Sequence, residues 1–215
     1  MRTSKKSDLK IIAAQIIKTL QDSYEAKCEL DFKTQFELLA AVILSAQCTD
    51  KRVNIVTPVL FKKYQNIEHF AAARINELEK IIMSTGFYKN KAANIIGCAK
   101  KILKDYNGKI PNKMNELLKL PGIGRKSANV LLAELYGKTE GIVVDTHVKR
   151  LSYRIGLTKN FEPEKIEIDL MKIIDRSVWI IFAHILIKHG RQVCTARKPL
   201  CDKCSINKIC QKNIL

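Results

Sequence analysis

The chain has 215 residues, 47% of them hydrophobic, which allows one large domain or two small ones with a buried core. Its 38 Lys+Arg against 21 Asp+Glu give a formal net charge of +17, spread along the chain; this fits a polyanion partner, though a lysine-rich solvated surface would carry the same charge. The uncharged apolar stretches near 178–187 and 38–49 are shorter than the about 20 residues a membrane helix needs, and no apolar segment follows the basic start, so neither a membrane span nor a signal peptide is expected.

Helical periodicity runs through the whole chain. Leu9, Ile12, Ile16, Ile17 and Leu20 form one apolar stripe. Thr34 and Glu37 make a capping box that opens an apolar helix over 36–46. Thr49 or Asp50 can cap the next helix, which Pro58 is expected to kink or split. Residues 76–84 read as a helix stopped by Gly86, and 88–106 as a long basic helix ended by Asn107-Gly108. A short helix at 114–118, the turn Leu120-Pro-Gly-Ile-Gly124 and a helix over 125–136 follow. Asp145 caps a helix through Ile155, and two more are expected over 163–174 and 177–189. The only strand-like run, 141–145, is too short for a sheet, so the fold class is all-α.

Seven cysteines are present. Cys28, Cys48 and Cys98 sit in apolar or helical surroundings and read as buried thiols, reduced in a cytoplasmic protein. The other four are spaced Cys194-x6-Cys201-x2-Cys204-x5-Cys210. Four thiolates this near one another can close around one inorganic centre, and both zinc and iron–sulfur clusters accept them. The spacing matches neither the paired C-x2-C arms of zinc ribbons nor the C-x2-C-x2-C run of bacterial ferredoxins. Between the first two cysteines lie Arg197 and Lys198, a basic loop suited to phosphate.

The turn Leu120-Pro121-Gly122-Ile123-Gly124-Arg125-Lys126 joins two short helices. Its glycines permit backbone conformations closed to other residues and remove side chains from the second helix's start. The amides there, aided by the positive end of the helix dipole, make an anion site. A tight turn alone would also use glycine, but the basic pair Arg125-Lys126 favours phosphate.

This segment resembles the helix–hairpin–helix of the endonuclease III branch of DNA glycosylases. The resemblance extends to Leu44-Ser-Ala-Gln47-Cys-Thr-Asp50, to Val144-Asp-Thr-His147, to His189-Gly-Arg191 and to the cysteine pattern, covering about 36–210 in order. It implies a [4Fe-4S] cluster on Cys194, Cys201, Cys204 and Cys210. It also implies two helical domains flanking a DNA-binding cleft. One is a six-helix barrel over 28–137 that includes the helix–hairpin–helix at 114–133. The other is discontinuous, 1–27 with 138–215, and carries the cluster loop 194–210.

Base removal requires breaking the C1′–N bond of a damaged nucleotide. A neutral amine can attack C1′, and the resulting Schiff base acidifies the C2′ proton, so β-elimination cuts the strand on the 3′ side. The resemblance places this amine at Lys126. The helix dipole, Arg125 and partial burial would each disfavour its ammonium form, whereas a solvated phosphate-binding lysine is the plainer alternative. The family's essential aspartate falls on Asp145, which would steady positive charge on the sugar or assist proton transfer. Its plainer alternative is a helix cap. Gln47 matches a glutamine that fills the hole left by a flipped base. His147 is expected to pack or to contact DNA. Phe87 stands where relatives often carry an aliphatic wedge, and Cys48 where they carry a small apolar residue.

The expected protein is thus a monomeric DNA N-glycosylase and abasic-site lyase acting on oxidised pyrimidines in duplex DNA. DNA contacts are expected at Gln47, Gly122, Gly124, Arg125, His147, Arg197 and Lys198. Two alternatives remain. One is an adenine glycosylase of the same superfamily, which typically lacks the lysine. The other is a non-catalytic DNA-binding or redox-sensing module.

Overall fold

Eleven α-helices and three short 3-10 turns account for the regular structure of the computed structural model, which describes residues 2–214, with side chains from Ser7 onward. No strand occurs among them. The helices are α1 Arg2–Gln21, α2 Gln35–Ser45, α3 Asp50–Lys63, α4 Ile67–Ala71, α5 Ile75–Ile82, α6 Tyr88–Tyr106, α7 Met114–Leu117, α8 Arg125–Tyr136, α9 Thr146–Ile155, α10 Pro163–Ile173 and α11 Trp179–Gln192. The chain divides into two units. One runs from Cys28 to Lys138; the other joins the N-terminal segment through Lys27 to everything from Thr139 on. Met1 and Leu215, the outer ends of the expected discontinuous domain, lie outside the described residues.

The unit over 28–138 is built around α2. Phe36 and Leu38–Leu44 are all buried, so this helix is apolar on every side and is covered by α3, α6 and α8. Each of its large side chains contributes about 1.5–3 kcal/mol by leaving water. Thr34 closes the expected capping box: its side chain accepts from the Glu37 amide, and the Glu37 carboxylate accepts from the Thr34 amide. Thr49 is the N-cap of α3. Pro58 does not split that helix, which continues to Lys63. The proline is exposed, so water can take the carbonyl that it leaves without a donor. α4 is a helix that the sequence pattern does not announce; it is five residues long, is capped by Asn66 and buries Phe70 among Phe36, Phe61 and Tyr64.

Of the three thiols expected to be buried, only Cys98 is; Cys28 and Cys48 are half-buried at the rim of this core. Burial pushes the Cys98 thiol up to about 12 and the Cys28 thiol up to about 11. Neither is a nucleophile near neutral pH.

In the other unit, the apolar stripe of α1 packs on α10 and α11. Ile16, Ile17 and Leu20 are buried there with Leu151, Leu170, Trp179 and Phe182, while Leu9 and Ile12 lie at the margin. The last helix starts at Trp179, after a 3-10 turn over Arg176–Val178, and extends to Gln192. No helix among the described residues is long and apolar enough to cross a membrane.

Candidate functional site

The hairpin that joins α7 to α8 is seated on α6. Gly97 brings the α6 backbone near enough that a Cβ there would lie 3.2 Å from Pro121, and the Cys98 thiol donates to the Pro121 carbonyl at 3.1 Å. Gly122 has φ +74, and a Cβ at this position would run into the Asn94 side chain. This glycine is therefore required twice, by its left-handed backbone and by the close approach of α6. Gly124 differs. Its φ is −93, which any residue adopts, and a Cβ would meet nothing in the chain within 4 Å. Gly124 is the N-cap of α8, a position that glycine favours, and with no Cβ it leaves the amides at the helix start open. No side-chain cap closes that helix end. Arg125 and Lys126 occupy its first turn and both are exposed, so the partial burial expected of Lys126 is not found.

Two further residues of the 28–138 unit stand out. Gln47 (φ 52) and Phe87 (φ 47) hold left-handed backbone without being glycine, and both project into solvent, Phe87 with 64% of its surface exposed. Gln47 lies between α2 and α3, Phe87 at the start of α6.

In the other unit, Asp145 is the N-cap of α9. Its Oδ1 accepts from the amides of His147 at 2.9 Å and Val148 at 2.7 Å, so Oδ2 takes no part in the cap. Capping and a chemical role are thus compatible in one carboxylate. His147 is half-buried, with its ring against Gly190 and Nδ1 3.2 Å from the Arg150 guanidinium. Burial holds its pKa below the usual histidine range, and the cations of Arg150 and Arg191 push the same way against Asp145. The His147 backbone amide is one of the two donors that Asp145 holds as the cap of α9.

Cys194, Cys201, Cys204 and Cys210 line one small cavity of about 30 Å³, otherwise walled largely by apolar side chains such as Leu151, Ile155, Val193, Leu200 and Ile206. Burial pushes the Cys204 and Cys210 thiols up, and the neighbouring thiols of the set add to it. A positively charged centre would relieve that mutual repulsion. Among the described residues, no group of three or more His, Cys, Asp or Glu gathers tightly enough for a single metal ion. Four thiolates around one cavity are a donor set that an iron–sulfur group accepts.

Two arginines of α9, which the sequence pattern does not single out, hold this loop. Arg150 donates to the carbonyls of Gly190 and Cys194, both at 2.9 Å. Arg154, almost fully buried, donates to the carbonyls of Thr195 and Ala196, both at 2.7 Å, and to the Cys194 sulfur at 3.5 Å. Their partners lie some forty residues away, so no local pattern marks them. The buried His189 bridges Tyr24, at 3.1 Å through Nδ1, and the Cys204 sulfur, at 3.4 Å through Nε2. Arg197 and Lys198 lie exposed on the same loop.

Residues 40–176 match the profile of the HhH-GPD superfamily of base excision DNA repair proteins, and residues 194–210 match that of the iron–sulfur binding domain of endonuclease III. The chain is 51% identical to endonuclease III of Synechocystis sp. over 92% of its length and 91% of the relative's. It is 43% identical to endonuclease III of Bacillus subtilis (strain 168), over 87% and 85% of the two chains. Among solved structures it resembles a trapped endonuclease III–DNA covalent intermediate with a TM-score of 0.87 and 41% identity, covering 96% of each chain. A non-covalent endonuclease III–DNA complex aligns with the same score and identity, over 96% of this chain and 95% of that one. With its hairpin, its cysteine loop and these relatives along nearly its whole length, the chain belongs to the endonuclease III branch of the HhH-GPD superfamily of base excision DNA repair proteins.

Proposed function

We infer that this protein is a DNA N-glycosylase and abasic-site lyase with a [4Fe-4S] cluster, and we propose that it removes oxidised pyrimidines from duplex DNA through Lys126. The observation that carries the residue assignment is the hairpin. Lys126 is exposed in the first turn of α8, directly behind Gly124, which puts no Cβ in front of the helix-start amides. A relative at 41% identity was caught covalently joined to DNA, which is what a nucleophilic amine produces.

In this reading, the amides at the start of α8 and the Arg125 side chain hold backbone phosphate. The Lys126 amine attacks C1′ as the base leaves, and β-elimination completes the cut. The Asp145 carboxylate steadies the developing positive charge, and the His147 amide holds its Oδ1. Gln47 fills the vacated stack. Arg197 and Lys198 take phosphates from the cluster loop. Cys194, Cys201, Cys204 and Cys210 are the ligands of the cluster, which when bound supplies iron to the four thiolates and fixes that loop. The protein acts as a monomer in the cytoplasm, at the nucleoid.

Borohydride reduction on duplex DNA with an abasic site tests the assignment. The wild-type protein should be trapped; Lys126→Ala and Lys126→Gln should lose trapping and strand cleavage together while still binding DNA. A trapped adduct with Lys126→Ala would show that another amine is the nucleophile. Base excision without any trapping of the wild-type protein would favour a monofunctional glycosylase.

A further inference from the structure

Lys91 is a buried cation that the proposed chemistry does not use. Only 4% of it is exposed, and it lies one turn into α6. Its ammonium donates to two backbone carbonyls, Leu44 O at 2.8 Å and Thr85 O at 2.7 Å. Burying a charge is costly, and burial holds the Lys91 pKa below the usual lysine range, so the site must return something for keeping an amine where a methionine would fill the same space.

Each of the two carbonyls stands just upstream of an exposed tip. Leu44 is in the last turn of α2, three residues before Gln47. The turn after it satisfies Ile43 O and Ser45 O from the amides of Ala46 and Cys48, and Leu44 O is the carbonyl that Lys91 takes. Thr85 ends the 3-10 turn Met83–Thr85, two residues before Phe87. Both are helix-end carbonyls, at the negative pole of their helices. Among the described residues, left-handed backbone occurs at four non-glycine positions: Gln47, Phe87, Asn107 and Lys212. Asn107 is a helix C-cap, a place where asparagine is at ease. Two of the other three sit directly downstream of the two carbonyls held by Lys91. Strained backbone at an exposed tip persists only where the surroundings enforce it.

We propose that Lys91 is a positioning residue that ties the Gln47 turn and the Phe87 turn into one rigid, two-pronged element for base extrusion. One nitrogen ties the two turns, so neither turn can shift away from the other without breaking a bond to Lys91. Phe87 supplies an exposed ring that can enter or cover a base step, and Gln47 an amide that can occupy the vacated position. The functional half of this rests on the proposed role of Gln47 in filling the stack; the mechanical half does not.

The full-length protein with Lys91→Gln tests both halves. Hydrogen exchange should show the bonded amides of Ala46 and Cys48 and that of Gly86 losing protection together, by about tenfold or more, with the central turns of α2 and α6 unchanged. In single-turnover assays, excision of a damaged base should slow by about tenfold, with nicking of a ready-made abasic site much less affected. Gln47→Ala added to Lys91→Gln should cost little more than either change alone, because both disable one device. Loosening of only one turn, or losses that multiply, would overturn the proposal. If the two turns loosen together but Gln47→Ala leaves extrusion intact, the tie stands and the role of Gln47 fails. Should the variant not fold, exchange on the wild-type protein decides: the two sets of amides must open with the same free energy, and unequal values refute the coupling.

Discussion

Asp145 separates structural from chemical work, because the cap uses Oδ1 alone. Replacing it with Ala removes two hydrogen bonds to the first turn of α9 and the anion at that helix end. A lost cap costs about 1 kcal/mol, and the charge at the terminus about 0.5 kcal/mol more. At roughly 2–4 °C per kcal/mol for a chain of this size, Asp145→Ala should lower Tm by about 3–6 °C. Asp145→Asn keeps an acceptor for the two amides and loses only the charge, so its Tm should fall by no more than about 2 °C. Activity should not track stability. Both variants lose the carboxylate that steadies the charged sugar, and single-turnover excision should drop by about 10²–10⁴-fold in each. Differential scanning calorimetry and excision of an oxidised pyrimidine, measured well below either Tm, give the two numbers. An Asn variant that excises within about threefold of wild type would reduce Asp145 to a cap and remove it from the chemistry.

Gln47→Ala should slow removal of a damaged base more than nicking of an abasic site, which has less to unstack; equal losses on both substrates would argue against its filling the vacated stack. Replacing Arg197 or Lys198 with Ala should weaken abasic and undamaged duplex alike and lower the salt slope by about one for each phosphate no longer neutralised, so an unchanged slope would remove the cluster loop from the interface. Cys204→Ser should yield protein with less bound iron and a C-terminal region open to proteolysis, read from its absorption spectrum and from limited digestion. Iron content equal to wild type would show that Cys204 is not a ligand.

Much of the molecule was legible in one dimension because its signals are local. A capping box acts within four residues, so Thr34 and Glu37 announced α2, and the stop at Gly137 and the cap at Asp145 held for the same reason. The cysteine spacing and the hairpin were legible because their chemistry depends on residue type at fixed intervals. α4 was missed because five residues carry no measurable period; its position is set by Phe70 entering an aromatic cluster formed from distant residues. The same limit applies to charge. The apolar stripe of α6 through Ile95, Cys98 and Ile102 puts Lys91 on the buried face, but nothing local names its partners. Only the packing of α2, the Met83–Thr85 turn and α6 gives its amine two carbonyl partners. Arg150 and Arg154 likewise gain their meaning from carbonyls some forty residues away. The helices and the four-thiolate set could be read without a structure, since each is a property of neighbours along the chain; the kind of inorganic centre and the candidate nucleophile came from the resemblance to a family. Which cations find partners, which tips are held in strained backbone and which glycine is pressed against a neighbouring helix were decided by long-range packing, where residues far apart in sequence compete for the same space and the same hydrogen bonds.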